Sequence, residues 1–315
     1  MNKNNLDLSV LLIFFARPNT LEKVFQEVKK ARPSKLFLAC DGPRENRESD
    51  KENVEKCKQI VSDVDWECEV HTLYREQNEG CGKGPSNAIS WAFNYTDKLV
   101  ILEDDCVPAE SFFPYMKELL DRYEFDNRIG MISGFNHLKD WDAGGNSYFF
   151  TKSAATLGWA TWKRVWKDYD FYLNDINNKY LENLLLSEIP PKKIAGKKVC
   201  DWKRANRETT TKKVGYWDYQ FGFLKYAMSY LCIAPKSNLI YNIGVGAGST
   251  HTENSKQEKW SKGKVLFMPT KDLEFPLIHP KHIICDRNYD NARDKIIYKS
   301  KFQKAINKLK RMFKK

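Results

Sequence analysis

The stretch that decides the fold is Lys98-Leu99-Val100-Ile101-Leu102-Glu103-Asp104-Asp105-Cys106-Val107-Pro108, where an apolar run ends at three consecutive acids. This run predicts a buried strand in a parallel sheet that is covered on both faces. The acids then lie at the carboxyl end of the strand, the edge where open α/β sheets bind ligands. Three adjacent carboxylates repel one another, so the edge is expected to hold a cation, usually a divalent one shared with a phosphate. The alternative is an acidic turn leading into a helix near Pro108.

Strands and helices alternate on the amino-terminal side of this stretch. Earlier strands are predicted at residues 10–16, at 35–40, and on a face formed by Trp66, Cys68, Val70 and Thr72. Predicted helices follow these strands: one from an Asn19 N-cap with Glu22 in capping-box spacing, one over 48–62 and one over 85–94. A glycine-rich loop is predicted at 78–84. The alternation predicts an α/β fold with a Rossmann-like, doubly wound, mostly parallel sheet and right-handed crossovers.

The pattern loosens after Phe112. A helix to about residue 123, a strand at 129–133, a turn at 144–146 and a helix opened by 216–220 are predicted, and the basic stretch 192–213 predicts a loop. Trp159 and Trp162 suit either the core or stacking on a sugar, and the core is favoured. We therefore expect a nucleotide-sugar-binding half at 1–110, an acceptor-binding, catalytic half at 111–290 and a basic helix at 291–315.

Composition narrows the class of protein. The chain has 315 residues, 42% of them hydrophobic, which is enough for a sizeable core. Eight cysteines without a C-x-x-C pair, and only 5 His, argue against zinc and for reduced thiols in a cytosolic protein. No apolar run approaches the roughly 20 residues that span a bilayer. Asp7 before residues 10–16 and Arg17-Pro18 after them favour a strand over a signal peptide.

The charge is concentrated in the tail. The net charge is +11, and residues 291–315 carry ten Lys and Arg against one acid, Asp294. The body is thus close to neutral, and nucleic-acid binding is not expected. Apolar tail residues recur at helical spacing: Tyr298, Phe302, Ala305, Ile306, Leu309, Met312 and Phe313. Such a helix suits an anionic membrane surface, and the alternatives are a helix packed on the body or one that binds a partner.

Polar side chains follow three of the predicted strands. Arg17, Asp41 and the acids at 103–105 would meet at one sheet edge, the arrangement expected of a nucleotide site. Arg17 can reach a phosphate and Asp41 can accept from a base N–H, although Asp41-Gly42-Pro43 is also an ordinary turn sequence. The loop at 80–84 is neither a Walker motif nor a dinucleotide fingerprint; it would approach a ligand or cap a helix.

A family resemblance follows from the order of four motifs: Phe14-Phe15-Ala16-Arg17-Pro18, Asp41-Gly42-Pro43, Arg75 with Asn78-Glu79-Gly80, and Leu102-Glu103-Asp104-Asp105. This order resembles the GT-A glycosyltransferases, in particular the inverting enzymes related to N-acetylglucosaminyltransferase I and the bacterial family-2-like transferases. The resemblance covers about the first 250 residues and is strongest over the first half. It implies a GT-A fold, a UDP-sugar donor, and a Glu-Asp-Asp variant of the metal-binding D-x-D motif.

The resemblance also implies roles for residues of the donor site. Asp41 would contact the uracil and Arg17 the base or phosphate side of the nucleotide. Asp104 would lie by the ribose or the donor sugar, with Glu103 less certain in role, and Asp105 would bind the Mn²⁺ or Mg²⁺ that bridges the diphosphate. The remaining residues expected to bind the nucleotide sugar are Arg75, Asn78 and Lys83.

Two further residues are implied by the resemblance. Trp217-Asp218 matches a Trp-Asp motif whose carboxylate is the base, and His251 ends a glycine-rich stretch at 242–251 that would close over the diphosphate as a metal or phosphate ligand. Inverting sugar transfer needs one such base and a neutralised leaving group. Asp218, between Trp217 and Tyr219, is expected to be partly desolvated, which would raise its pKa. The alternatives are that Asp218 caps a helix and that His251 makes a structural hydrogen bond.

The sequence thus favours an inverting, metal-dependent glycosyltransferase, peripheral to the cytoplasmic face of the membrane. It would transfer a sugar from a UDP-sugar to a hydroxyl of a lipid-linked bacterial surface glycan or glycolipid. One alternative is a nucleotidyltransferase that makes the sugar nucleotide. Those enzymes carry a glycine- and arginine-rich loop after the first strand, where this chain has Ala16-Arg17-Pro18-Asn19 without glycine. The other is a non-catalytic protein that binds membranes or nucleic acid.

Overall fold

The computed structural model describes residues 5–211, 215–244 and 266–298. Its strands are β1 Leu6–Phe14, β2 Pro33–Cys40, β3 Glu69–Tyr74, β4 Lys98–Glu103, β5 Cys106–Pro108, β6 Ile129–Ser133, β7 Tyr148–Thr151, β8 Trp159–Trp162, β9 Leu231–Pro235 and β10 Ile240–Asn242. Its helices are α1 Pro18–Ala31, α2 Glu48–Val61, α3 Gly80–Ala92, α4 Phe112–Arg122, α5 Lys163–Trp166, α6 Lys179–Glu188, α7 Lys192–Thr210, α8 Asp218–Ala227 and α9 Arg287–Ile297. A 3-10 turn covers Asn174–Asn177.

The central sheet has the strand order β3-β2-β1-β4-β8-β6-β9-β7. Its first four strands are parallel, β8 runs antiparallel to β4 and β6, β9 is parallel to β6, and β7 is antiparallel to β9. A separate ribbon pairs β5 with β10. The predicted α/β class with a Rossmann-like sheet is confirmed, and Glu103 lies at the carboxyl edge in register with Ile13.

The buried strands and the first helix form for the reasons that the sequence suggests. Val10, Leu11 and Leu12 of β1 are fully buried, as expected for a strand covered on both faces. Helix α1 buries Leu21, Val24, Phe25 and Val28, a helical stripe. The predicted Asn19 cap is wrong, because Arg17 is the N-cap and the helix starts at Pro18, two residues earlier than an Asn19 cap implies. Proline suits that position because the first helical N–H groups have no intrahelical acceptor.

In the third strand, Val70 and Thr72 of the predicted face point to solvent. Strand β3 starts at Glu69, so Trp66 and Cys68 precede it, and Val70 is 41% exposed. The half-buried residue His71 faces the body instead, where its ring stacks on Phe37 with centroids 5.0 Å apart. Among the described strands, β3 pairs with β2 alone, and its exposed side carries the apolar Val70.

The loop predicted for the basic stretch 192–213 is wrong. Residues 192–210 form α7, and its buried residues recur every three or four positions: Ile194, Ala195, Lys198, Val199, Trp202, Ala205 and Thr209. This stripe packs against Tyr226 of α8 and other apolar side chains of a second cluster. The lysines and arginines that suggested a mobile loop mostly cover the outer face of a packed helix.

The two tryptophans of β8 belong to the core. Trp159 is 1% exposed and Trp162 is 2% exposed, so the core alternative is confirmed for both. Trp159 stacks on Trp217 with ring centroids 5.6 Å apart. Trp162 donates its indole N–H to the carbonyl of Leu120 at 3.1 Å. These contacts place Trp217, and with it the start of α8, firmly against the sheet.

Helix α9 packs on the body. The Tyr289 hydroxyl accepts from the backbone N–H of His137 at 3.1 Å, and its ring lies 4.5 Å from that of Phe149. For residues 291–298 the alternative of a helix packed on the body therefore applies; the rest of the predicted tail helix lies outside the described residues. Within the described ranges, no helix is long and apolar enough to cross a bilayer. The three-part division at 110 and 290 stays a prediction, although the central sheet takes strands from both sides of residue 110.

Candidate functional site

A pocket of about 250 Å³ lies at the carboxyl edge of β1, β2 and β4. Six of the predicted donor-site residues line it: Arg17, Asp41, Arg75, Asn78, Glu103 and Asp104. Lys83 is exposed and is not on the pocket wall. The sequence reasoning missed Arg44, which lines the pocket and sits over the Phe15 ring at 5.1 Å. Its position in the sequence, directly after Asp41-Gly42-Pro43, could have identified Arg44 as a pocket residue.

Arg17 neutralises the acids at the end of β4. Its guanidinium pairs with Asp104 and, from Nη1, with Asp105 Oδ2 at 3.0 Å. Asp104 also accepts from the backbone N–H of Phe15 at 2.9 Å and is 2% exposed. The positive partner that the three carboxylates required is therefore supplied, at least in part, by the protein itself.

The acid cluster has perturbed pKa values. Burial, reinforced by the negative charges of Asp105 and Asp104, raises the pKa of Glu103 to about 8. Burial also raises the pKa of Asp104, against the opposing charge of Arg17. Burial alone would lower the pKa of Arg17, but Asp104 and Asp105 raise it, so Arg17 stays charged.

Asp41 caps the start of α3. Its carboxylate accepts from the backbone N–H groups of Gly42 at 3.1 Å, Glu79 at 2.9 Å and Gly80 at 2.9 Å. Burial raises the pKa of Asp41, and these three hydrogen bonds oppose the rise. The cap explains why the glycine-rich residues from Gly80 onward form the first turn of α3 instead of the predicted loop.

Arg75 and Asn78 complete this wall. Asn78 Nδ2 donates to the Gly42 carbonyl at 2.7 Å, and Arg75 Nη2 donates to the Gly84 carbonyl at 3.2 Å. Arg75 also pairs with Glu79 across 3.1 Å. Both side chains therefore hold the loop after β2 against the start of α3 and shape the pocket at the same time.

Asp218 lies between this pocket and a second one. It begins α8 and lines a cavity of about 400 Å³. Its charge also contributes to the raised pKa of Glu103 in the first pocket, although burial and the charges of Asp105 and Asp104 contribute more. The sequence reasoning expected a desolvated carboxylate, but Asp218 is exposed in the described part of the chain. Its predicted role as base depends on its position rather than on burial.

A close backbone approach fixes the segment before Asp218. A Cβ atom on Gly82 would lie 2.5 Å from the carbonyl carbon of Gly215, so only glycine fits there. Cys81 Sγ donates to the Gly215 carbonyl at 3.5 Å, and the Tyr169 hydroxyl donates to the Trp217 carbonyl at 3.1 Å. The start of α8 is thus held against the start of α3.

Gly82→Ala is expected to lower the free energy of unfolding by about 1–3 kcal/mol, because the added methyl group meets backbone that must move. Gly196→Ala in α7 is the matched control, since a Cβ there has nothing within 4 Å. The control should be neutral or more stable by up to about 1 kcal/mol, because alanine favours helix. Urea unfolding of both variants tests this, and equal effects would contradict the close approach.

A divalent cation fits this site only with help from a substrate. Among the described residues, no group of three His, Cys, Asp or Glu side chains could hold a metal ion. Asp105 could offer one carboxylate, and Gly244 lies against it where a side chain would clash. Mg²⁺ commonly binds through one or two carboxylates plus substrate phosphates, and this donor set suits that mode. His251, the other predicted metal ligand, lies outside the described residues.

Comparisons with known proteins show a likeness of fold at low scores. No family model and no curated protein matches the chain. A UDP-glucose pyrophosphorylase complexed with UDP-glucose is 9% identical, with a TM-score of 0.38, covering 74% of this chain and 92% of that one. A 4-diphosphocytidyl-2C-methyl-D-erythritol synthase from Anaerococcus prevotii is 10% identical, with a TM-score of 0.31, covering 52% and 76%. An inositol-1-phosphate CTP transferase from T. maritima is 8% identical, with a TM-score of 0.32, covering 52% and 74%.

None of these three proteins is named as a glycosyltransferase. Scores of this size assign no activity to the present chain.

Proposed function

We propose that this chain is an inverting glycosyltransferase that moves a sugar from a UDP-sugar to an acceptor hydroxyl. The observation that supports it most is the position of Asp218. It lines one pocket, and Cys81, which lines the other, donates to the Gly215 carbonyl three residues before Asp218. A donor in the first pocket and an acceptor in the second would then meet at one carboxylate. A single base between two substrates is what single-displacement transfer requires.

In the donor pocket, we assign the nucleotide to the wall formed by Asp41, Arg75 and Asn78, with Arg44 added by the structure. Glu103 and Asp104 would lie beside the ribose or the sugar. Asp105 would hold a Mn²⁺ or Mg²⁺ ion, which supplies positive charge to the leaving diphosphate. Lys83 and His251 remain candidates for contacts with that diphosphate.

The proposed reaction uses Asp218 directly. Its carboxylate takes the proton of the acceptor hydroxyl while that oxygen bonds to the anomeric carbon. The bond from this carbon to the diphosphate oxygen breaks, and UDP leaves with the electron pair. The basic residues after Tyr298 would place the protein on an anionic membrane surface, where a lipid-linked acceptor resides.

The second candidate is a nucleotidyltransferase that joins a nucleotide to a sugar phosphate. The names of the UDP-glucose pyrophosphorylase and the inositol-1-phosphate CTP transferase compared above indicate similar activities. The connection from β1 to α1 is short, consisting of Phe15, Ala16 and Arg17. Arg17 is held there by Asp104 and Asp105. This connection offers no glycine-rich loop around a triphosphate, which favours the glycosyltransferase.

Asp105→Ala is expected to weaken Mn²⁺-dependent UDP binding at least tenfold, because a charged ligand to the ion is lost. Titration calorimetry of UDP with and without Mn²⁺ measures this. Asp97→Ala is the control, since Asp97 is 82% exposed just before β4. UDP binding that is absent in the parent protein would overturn the proposal.

A second assay separates the two candidates. The parent is incubated with UTP and glucose 1-phosphate, and in parallel with a panel of UDP-sugars. Pyrophosphate release from UTP would favour the nucleotidyltransferase. Mn²⁺-dependent UDP release from one UDP-sugar, without pyrophosphate from UTP, would support the glycosyltransferase.

A further inference from the structure

The second pocket, of about 400 Å³, is unusually rich in buried cations. Lys152 from the end of β7, Lys198 from α7, Lys225 from α8 and Arg293 from α9 all line it. The three lysines are 6%, 8% and 5% exposed, respectively. Lysine is almost never buried to this extent unless it is paired with an acid. The partners of these four cations therefore decide what the pocket can bind.

Two of the lysines are tied to backbone carbonyls. Lys152 Nζ donates to Ser229 at 2.8 Å, and Lys225 Nζ donates to Ala154 at 2.9 Å. Lys198 Nζ makes no hydrogen bond or ion pair within the described ranges, and it lies over the Tyr226 ring at 4.8 Å. The Tyr298 ring lies 5.9 Å away, and among the described residues no protein acceptor takes the Lys198 donors. Because burial lowers the pKa of Lys198 to about 7, an anion bound here would also keep this lysine charged.

Further donors in the pocket lack acceptors. Both ring nitrogens of His137 and Nε of Arg293 are buried without a hydrogen-bond partner in the described structure. Burial, together with the positive charges of Arg293, Lys225 and Lys198, keeps the pKa of His137 well below its ordinary value, so the ring is neutral and offers one N–H. Buried donors of this kind usually have a partner, which here would be a ligand or water.

The acids nearby are already engaged. Asp290 accepts from the Thr151 hydroxyl and from the backbone N–H of Lys152, and Asp294 accepts from Arg293 Nη1 at 2.7 Å. Neither of these acids is on the pocket wall, where the carboxylates are Asp201 and Asp218. Arg293 is thus paired with Asp294, whereas burial lowers the pKa values of Lys152, Lys198 and Lys225, so a bound anion would be needed to keep all three lysines charged.

We infer that this pocket binds an anionic group, a phosphate or a carboxylate, carried by the acceptor whose hydroxyl Asp218 deprotonates. That the anion belongs to the acceptor rests on the proposed function, whereas the anion site itself rests only on the buried donors of the pocket. Lys198 from α7, Arg293 from α9 and His137 from the turn after β6 supply donors that no described protein group uses. Asp218 on the same wall marks the side from which the acceptor hydroxyl meets the donor.

The test uses inorganic phosphate as the probe. Phosphate should raise the thermal midpoint of the parent protein, and its affinity should fall at least tenfold in Lys198→Met, since a charge-assisted hydrogen bond is lost. Lys193→Met, on the exposed side of the same helix, should behave like the parent. A parent that does not respond, or a Lys198→Met variant that binds phosphate as the parent does, overturns the inference.

Further arms identify the anion and separate the two proposals. Glucose 6-phosphate and glucuronate distinguish phosphate from carboxylate, with glucose as the neutral control. UDP binding with Mn²⁺ is measured on the same variants and should be unchanged in Lys198→Met. If UDP does not bind but phosphate does, the glycosyltransferase proposal fails and the anion pocket stands.

The pH dependence of stability is a second measurement on Lys198→Met. Burial, then Arg293, lower the pKa of Lys198 from 10.5 to about 7. Charged and titratable groups face it from every side: Arg293, Asp290 and Asp294 of α9, Lys225 and Tyr226 of α8, Tyr298, and Lys197 and Asp201 of its own helix.

Because the unfolded state binds the Lys198 proton more tightly, this group makes the parent more stable as pH rises from 7 to 10.5. Lys198→Met should therefore be more stable than the parent near pH 7, and the difference should shrink toward pH 10. A difference that stays constant over this range would show that Lys198 is not a buried, unpaired cation.

Discussion

Arg17→Met is expected to lower the free energy of unfolding by about 3–5 kcal/mol, the cost of leaving a buried carboxylate without its partner. Asp104 is 2% exposed and takes its charged hydrogen bonds from Arg17. Asp105 loses the same partner, and Glu103 lies next to both. Methionine keeps much of the side-chain volume, so the loss is mainly electrostatic. Urea unfolding at pH 8 measures it.

Two controls separate charge from packing. Adding Asp104→Asn to Arg17→Met removes the stranded charge, so the double variant should recover part of the lost stability. Lowering the pH to 5 should also reduce the deficit of Arg17→Met, because Asp104, whose pKa burial already raises, then takes up a proton. A single variant within 1 kcal/mol of the parent at pH 8, where Asp104 is charged, would show that the pair is not a structural element.

The sheet edge could be predicted because it depends on local signals. An apolar run that ends at Glu103 identifies a buried strand, and parallel topology brings the ends of β1, β2 and β4 together. Arg17, Asp41 and Asp104 were placed at one edge on that basis, and they line one pocket. The rule needs only strand order and direction, which alternating strands and helices supply.

The pairing within the edge could not be predicted in the same way. The sequence shows that the acids need a cation, but not that Arg17, 87 residues away from Asp104, supplies it. Asp41 looked equally suited to a base N–H and to a turn, and the choice of α3 as its partner depends on how the loop after β3 folds back. Such contacts follow from packing between elements, which one sequence does not specify.

The second pocket was missed because a basic composition was given more weight than spacing. Ile194, Lys198, Trp202, Ala205 and Thr209 recur at helical intervals, and that pattern could have identified α7. Within it, Lys198 is the one charged residue at a buried position of the stripe. A lysine at a core position of an amphipathic helix indicates a pocket, whereas a lysine on the outer face indicates only solvent.

Asp218→Asn is expected to lower sugar transfer by about 10²–10⁴-fold while leaving UDP binding unchanged, because it removes a general base and keeps the shape of the side chain. The reason is the position of Asp218, which lines the cation-rich pocket, while its charge contributes to the raised pKa of Glu103 in the donor pocket. The turnover number is measured with the UDP-sugar that the donor screen identifies. Asp168→Asn, an exposed acid of the same half, is the control and should transfer normally.

Three outcomes of this experiment differ in meaning. Loss of transfer with intact UDP binding agrees with the base. Loss of both would mean that Asp218 shapes the donor pocket. The charge of Asp218 adds to the effect of burial in raising the pKa values of Glu103 and Cys81, which both line that pocket. Normal transfer by Asp218→Asn would exclude it as the base. Glu103, which lines the donor pocket, would then be the next carboxyl to replace.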